Sequence, residues 1–284
     1  MPRPNRSSFL AADGTALDIL VHAPENPRGC FLIYPCIGGT TRAYTVPYDV
    51  LCAAGYAVIE YHPRSHGRSQ GQMSMEAALH DLYHFLGVSR FLDLPLVILA
   101  HSAGANAVLQ LNKSFLNITA MHLVQPVLDF RESMEFMYRY GTQEEFITAI
   151  SKWVIDPNAL RQFVANANWL DGSTWHNDSY RSRLDAISTP AFNLGHFLEN
   201  FYIPGFNTYD ALEARSSIIQ IYLSRKDTWY PIETTERLAR QNSIPIHFIE
   251  PAHDHYFTGN WNYVWDLVLA QVTIVDQGAT LSTP

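Results

Sequence analysis

The segment from Leu94 to Leu111 reads LPLVILAHSAGANAVLQL, and a strand, a sharp turn and a helix fit within it. Val97, Ile98, Leu99 and Ala100 form an apolar run behind Pro95, with the length and evenness of a strand covered on both faces. Further on, Ala107, Val108 and Leu111 fall on one face of a helix. Between the two lie His101, Ser102, Ala103, Gly104 and Ala105. A serine at the end of a buried strand, flanked by residues small enough for a strained strand-to-helix turn, is the arrangement of a nucleophile elbow. The usual pattern is G-x-S-x-G; here A-H-S-A-G puts Ala100 at the first small position, where a methyl is the least that can be added to glycine. Ser102 is therefore the candidate nucleophile. An S-x-G tripeptide is common by chance, so the rest of the chain has to decide.

A chain of 284 residues that is 47% hydrophobic and 13% aromatic can bury a large core. Its formal charge of −8, with no run of Lys or Arg, excludes a general nucleic-acid binder, because neutralising phosphates needs a basic patch. The apolar runs have strand length and are broken by Pro, His and Ser, so no membrane span is predicted. The opening MPRPNRSSFLAADG lacks the apolar core of a signal peptide. Cys30, Cys36 and Cys52 are odd in number and without metal-type spacing, which predicts reduced thiols in a cytoplasmic protein. His80 and His84 stand four apart like a metal pair, but with no third ligand in reach they read as an exposed helix face.

Toward the N terminus, residues Ser7 to Pro24 alternate around Asp13-Gly14 and predict a hairpin, with Leu17, Ile19 and Val21 on one face. Cys30 to Tyr34 is a buried strand that ends in Pro35-Cys36-Ile37-Gly38-Gly39-Thr40, a loop whose backbone N–H groups can face a ligand. A helix from about 48 to 54 and a second apolar strand, Ala57 to Tyr61, follow. Strand, helix and strand in that order predict a parallel sheet. Met73 to Phe91 then reads as a helix, with Leu79, Leu82 and Leu86 on one face.

Gly55-Tyr56-Ala57-Val58-Ile59, followed by Arg64-Ser65-His66-Gly67-Arg68-Ser69-Gln70-Gly71, resembles the strand and the R-G-H-G-x-S-x-G loop that precede the nucleophile in the α/β-hydrolase superfamily. With the Gly-Gly loop at 38–39 and the A-H-S-A-G elbow, three motifs stand in the family's order. The resemblance implies a mostly parallel central sheet flanked by helices, with an inserted, mainly helical cap. In the family the loop after the first buried strand begins His-Gly, and the next backbone N–H joins the one after the nucleophile to hold the oxyanion. Pro35-Cys36 replaces that pair here, so the resemblance assigns the two donors to Ile37 and Ala103. Cys36 lies in the wrong loop to be the nucleophile, and packing is its expected role.

After a short strand at Met121 to Val124 the βαβ rhythm lapses. Gln143 to Ile155 carries Phe146, Ile150, Trp153 and Val154 on a stripe, and Asp156-Pro157 opens a helix with Leu160, Phe163 and Val164. This stretch resembles the helical cap of many α/β hydrolases. It is rich in aromatic residues, among them Trp169, Trp175, Phe192, Phe197, Phe201, Tyr202 and Phe206; most would pack the cap's own core and some would line a substrate pocket. The sheet resumes at Ser217 to Leu223. In Ser224-Arg225-Lys226-Asp227-Thr228-Trp229-Tyr230-Pro231 the family's G-x-x-D-x-x-x-P register assigns the triad acid to Asp227, with Asp129 the second choice and a capping role its alternative. The last strand, Ile244 to Ile249, leads to Ala252-His253-Asp254-His255-Tyr256-Phe257; likeness to a D-H-F-F ending assigns the base to His255 over His253.

The order Ser102, Asp227, His255 is that of the superfamily. Expected domains are an α/β-hydrolase core at 1–129 and 213–276, a helical cap at 130–212 and a flexible tail at 277–284. The expected activity is a serine hydrolase, esterase or thioesterase, that cleaves an ester or thioester with a hydrophobic or aromatic acyl group through an acyl-enzyme on Ser102. Acyl transfer to another acceptor and a ligand-binding receptor on the same fold are the alternatives. The implied partner is a small-molecule acyl substrate. No cofactor and no metal are implied, and the oligomeric state is not specified.

Overall fold

A computed structural model describes residues 5–89, 93–111, 116–165, 178–190, 192–195 and 207–276. Its centre is β5 (Leu96–His101), with all six residues buried and parallel neighbours on both sides. Those neighbours are β3 (Gly29–Tyr34), itself buried throughout, and β6 (Ile118–Val124). Strands covered on both faces need no polar alternation, which is why these segments read as apolar runs. β1 (Asn5–Leu10), β2 (Ala16–His22), β4 (Tyr56–Tyr61), β7 (Ile219–Leu223) and β8 (Ile246–Phe248) complete one sheet of order β1-β2-β4-β3-β5-β6-β7-β8. β1 pairs antiparallel with β2, and β2 with β4; every other pairing is parallel. The expected hairpin is present, its turn held by the Thr15 N–H donating to Asp13 Oδ1 at 3.0 Å.

Helices cover both faces. Leu82, Phe85 and Leu86 of α2 (Met75–Val88) and Val108 of α3 (Ala103–Leu109) pack on one side. Leu51 of α1 (Tyr48–Ala53) packs on the other, with Trp261, Val264, Trp265 and Val268 of a long final helix, Trp261–Asp276. Burying side chains of this size contributes about 1.5–3 kcal/mol each, so the final helix is a principal support of that face. Between β6 and β7 the described chain folds into α4 (Phe130–Tyr140), α5 (Gln143–Ile150), α6 (Pro157–Ala165), α7 (Asp178–Ile187) and α8 (Tyr209–Glu213). α9 (Ile232–Gln241) follows β7, and the final helix is α10.

Some element limits differ from the sequence reading. α5 ends at Ile150 and tightens into a 3-10 turn, Ser151–Trp153, instead of running on to residue 155. Trp153 then faces β-sheet loops, its ring stacked on Phe192 at 4.7 Å. β8 is confined to Ile246–Phe248. α10 is not anticipated by the sequence reading, although Trp261, Val264, Trp265 and Val268 keep helical spacing and Asn262 and Asp266 lie on the exposed side. Trp169, Trp175, Phe197, Phe201, Tyr202, Phe206 and the tail at 277–284 lie outside the described residues.

Candidate active site

At the end of β5 the chain turns into α3 through Ser102, whose backbone sits at φ 57°, ψ −125°. A β-carbon-bearing residue adopts such a conformation only under strain, and the surroundings hold it there. The Ser102 N–H donates to Val124 O at 2.9 Å, while its carbonyl accepts from the Ala105 and Val127 N–H groups. Gly104 explains the second small position of the elbow. A β-carbon there would stand 2.5 Å from Pro35 O and 2.7 Å from the Tyr34 ring, so only glycine lets α3 approach the end of β3.

Two residues far apart in sequence meet at this serine. His255 Nε2 lies 2.7 Å from Ser102 Oγ, and His255 Nδ1 lies 2.9 Å from Asp227 Oδ1. All three side chains are buried; that of Asp227 is 3% exposed and that of His255 1%. The same Asp227 oxygen accepts the Trp229 backbone N–H at 2.8 Å, a second hydrogen bond that holds the carboxylate in place. The Trp229 ring stacks on the His255 imidazole, 5.0 Å between centroids and 14° from parallel. The other two candidates stand elsewhere. The His253 side chain is 60% exposed. Asp129 caps α4, accepting the Glu132 N–H at 2.9 Å, and binds Asn207 Nδ2 at 2.8 Å.

Ile37 and Ala103 both line the small apolar pocket that contains Ser102. The loop bearing Ile37 is held from three directions. The Cys36 N–H donates to Tyr44 Oη at 2.8 Å, the Gly38 N–H donates to His66 Nε2 at 2.9 Å, and the Gly38 carbonyl accepts Lys152 Nζ. Gly38 is left-handed (φ +71°), and a β-carbon on it would stand 2.6 Å from Ala149 O of α5. Burial lowers the His66 pKa to about 3, so its Nε2 is available as an acceptor. Burial also pushes the Cys36 thiol up to about 11 and keeps it protonated at neutral pH, in line with the packing role expected for it.

The pocket in front of Ser102 is walled by Phe130, Met134 and Met137 of α4, Phe146 of α5, and Trp229. Its volume is near 20 Å³, room for little more than one water-sized group. α5 also grips the loop that carries Asp227. Glu145 Oε2 accepts from Thr228 Oγ1 at 2.7 Å and from Trp229 Nε1 at 2.9 Å, and Thr142 Oγ1 donates to Thr228 O at 2.9 Å. Trp229, Glu145, Tyr44 and His101 had no assigned part in the sequence reading. Trp229 sits in the quoted acid loop and could have been suspected; the contacts of the others depend on folding alone.

Among the described residues no group of three or more His, Cys, Asp or Glu side chains could hold a metal ion. His84 packs on the Phe9 ring at 5.4 Å. No described helix is long and apolar enough to cross a membrane.

No protein-family model and no curated protein sequence matches the chain. Solved structures do. A carboxylesterase of Nitrososphaera gargenis superposes with a TM-score of 0.67 at 14% identity, over 96% of this chain and 100% of that one. The Butyrivibrio proteoclasticus protein Est1E, with ferulic acid bound, gives 0.64 at 15% identity over 96% and 100%. A soluble variant of the monoglyceride lipase of Saccharomyces cerevisiae, in complex with a substrate analogue, gives 0.62 at 18% identity over 99% and 97%. Sheet order, elbow and these superpositions together establish that the chain has the α/β-hydrolase fold.

Proposed function

We propose that this chain is a serine hydrolase that cleaves a carboxylic ester or thioester of a small molecule through an acyl-enzyme on Ser102. The observation that carries the reading is the buried run from Ser102 Oγ to His255 Nε2 at 2.7 Å and from His255 Nδ1 to Asp227 at 2.9 Å. Ser102 Oγ attacks the acyl carbon while His255 Nε2 takes its proton; Asp227 holds Nδ1–H and stabilises the imidazolium. Negative charge builds on the carbonyl oxygen, and the Ile37 and Ala103 N–H groups are its donors in this reading. Losing one such donor typically costs about 10²–10³ in rate. The tetrahedral species collapses as His255 returns the proton to the departing alcohol or thiol. Water, deprotonated by His255, then releases the acid and regenerates Ser102.

Residues 130–212 act as a cap in this proposal, and the acyl group is apolar because Phe130, Met134, Met137, Phe146 and Trp229 surround the serine. A pocket near 20 Å³ suits an acetyl methyl as it stands. Longer or aromatic acyl groups require the unbranched Met134 and Met137 side chains to move aside, which methionine does readily. Steady-state hydrolysis of p-nitrophenyl esters and acyl-CoA thioesters of graded acyl length tests the proposal. Turnover by the wild type that disappears in Ser102→Ala is expected. A folded wild type that turns over none of them, or a Ser102→Ala variant as active as wild type, would overturn it.

A further inference from the structure

One buried polar chain touches the three segments that meet at the candidate active site and has no place in the mechanism above. His101, the residue before Ser102, is fully buried. Its Nε2 lies 2.9 Å from the main-chain oxygen of His255, and its Nδ1 lies 3.0 Å from Tyr44 Oη. Tyr44 Oη in turn receives the Cys36 N–H at 2.8 Å. A carbonyl oxygen can only accept, so His101 Nε2 carries the hydrogen. Nδ1 is then a bare acceptor and Tyr44 Oη–H points at it, leaving the phenol lone pair for the Cys36 N–H. Each of the three hydrogen bonds then runs in one direction, and a single neutral tautomer satisfies them all. Burial, together with the nearby His255, lowers the His101 pKa to about 3, which agrees with a neutral ring.

The three backbone points joined are residue 36, next to the proposed oxyanion donor Ile37; residue 101, next to the nucleophile; and residue 255, the base itself. A purely apolar Phe–Leu pair would fill the same space with no polar group to satisfy, whereas a buried polar chain is tolerated only when fully paired. Tyr44 is anchored independently: its ring stacks on Trp261 at 4.2 Å and its carbonyl accepts Trp265 Nε1 at 2.6 Å. We propose that Tyr44 and His101 are positioning residues that, through one directed hydrogen-bond chain, set the distance between the oxyanion loop, Ser102 and the main chain of His255. This rests on the serine-hydrolase reading of the site.

Two substitutions cut the same link from opposite ends. Tyr44→Phe removes the hydroxyl and keeps the ring stack; His101→Gln can place an amide near the Nε2 position and offers Tyr44 no Nδ1. The readout is kcat and KM for p-nitrophenyl acetate, normalised to the sites labelled by a fluorophosphonate, so that misfolded protein does not count. Each single variant should lose about 10- to 100-fold in kcat with KM within about 3-fold, since small misplacements act on the chemical step. Because both cut one link, the double variant should fall to within about 3-fold of the worse single. A merely structural role would lower the labelled fraction and leave kcat per labelled site unchanged, and that result overturns the proposal. So do two losses that multiply. If the wild type neither labels nor hydrolyses, the hydrolase reading itself fails; wild-type activity with unaltered variants fails the positioning alone. Tyr44→Phe, which deletes one oxygen atom, remains decisive if His101→Gln does not fold.

Discussion

The turn at the end of β5 and the helix α5 both touch the candidate active site, yet they are built on different principles. At the turn, the residues that matter are neighbours in sequence: Gly104 has no room for a β-carbon against the end of β3, and Ala100 and His101 are fully buried beside Ser102. On α5, the residues that matter are scattered over the helix and its 3-10 continuation, and their partners lie on other loops. Glu145 and Thr142 hold the Asp227 loop, Ala149 and Lys152 hold the Gly38 loop, and Trp153 Nε1 donates to Ser65 O at 3.2 Å. One region sets the backbone geometry at Ser102 through local strain; the other stabilises the loops around it through long-range contacts. Changes in the first should abolish chemistry or fold, and changes in the second should tune both.

The largest expected effect lies at His255. His255→Ala should lower kcat/KM for p-nitrophenyl acetate by about 10³- to 10⁴-fold, as loss of a general base does at comparable sites. His253→Ala, which alters an exposed ring, should stay within about 3-fold. The reverse ranking in folded variants would remove His255 from its role.

Next comes acid. Burial lowers the pKa values of His66, His101 and His122 to about 3 each, from an ordinary 6.5. The unfolded chain therefore binds protons that the folded chain refuses. Their contribution to stability is complete above pH 6.5 and is lost as pH falls from there toward 3, by up to about 1.4 kcal/mol per pH unit for each ring. Urea midpoints measured from pH 7 to pH 4 should fall steadily; a flat profile would contradict neutral burial.

Gly104→Ala should destabilise by about 1–3 kcal/mol, because the new methyl meets the backbone oxygen of Pro35 at 2.5 Å and neither side can swing away. Thermal unfolding reads this, and an unchanged Tm would mean that α3 has room to shift. The smallest effect is on α5. Glu145→Gln keeps the size of the side chain but weakens its bonds to Thr228 and Trp229, which should cost about 1 kcal/mol. It should lower kcat/KM about 3- to 10-fold through a looser Trp229 beside His255. If Glu145→Gln matched the loss in Ser102→Ala at the turn, the contrast between the two regions would be wrong.

The same contrast explains what was legible in the sequence. The sheet was readable because buried strands write themselves as apolar runs, and the elbow because its steric demand is met within five residues, Ala100 to Gly104. The Asp227 and His255 assignments came from loop register. The structure brings those two residues to Ser102, leaves His253 at the surface and uses Asp129 as a helix cap. The parts of α5, Tyr44 and His101 were not readable, since a glutamate bonding a tryptophan 84 residues away leaves no local pattern. Some rings of the aromatic stretch were expected to line a substrate pocket within 130–212, and Trp169, Trp175, Phe197, Phe201, Tyr202 and Phe206 lie outside the described residues. The pocket at Ser102 is walled by Phe130, Met134 and Met137 on α4 and Phe146 on α5, with Trp229 from the Asp227 loop.

The central claim is that Ser102 is a nucleophile activated by His255. Its most direct test is a fluorophosphonate reaction followed by peptide mapping of the intact, folded protein. The account predicts one adduct, on the peptide that contains Ser102, absent in Ser102→Ala, formed slowly in His255→Ala and at the wild-type rate in His253→Ala. An adduct on another residue, or labelling that persists undiminished in Ser102→Ala, would contradict it.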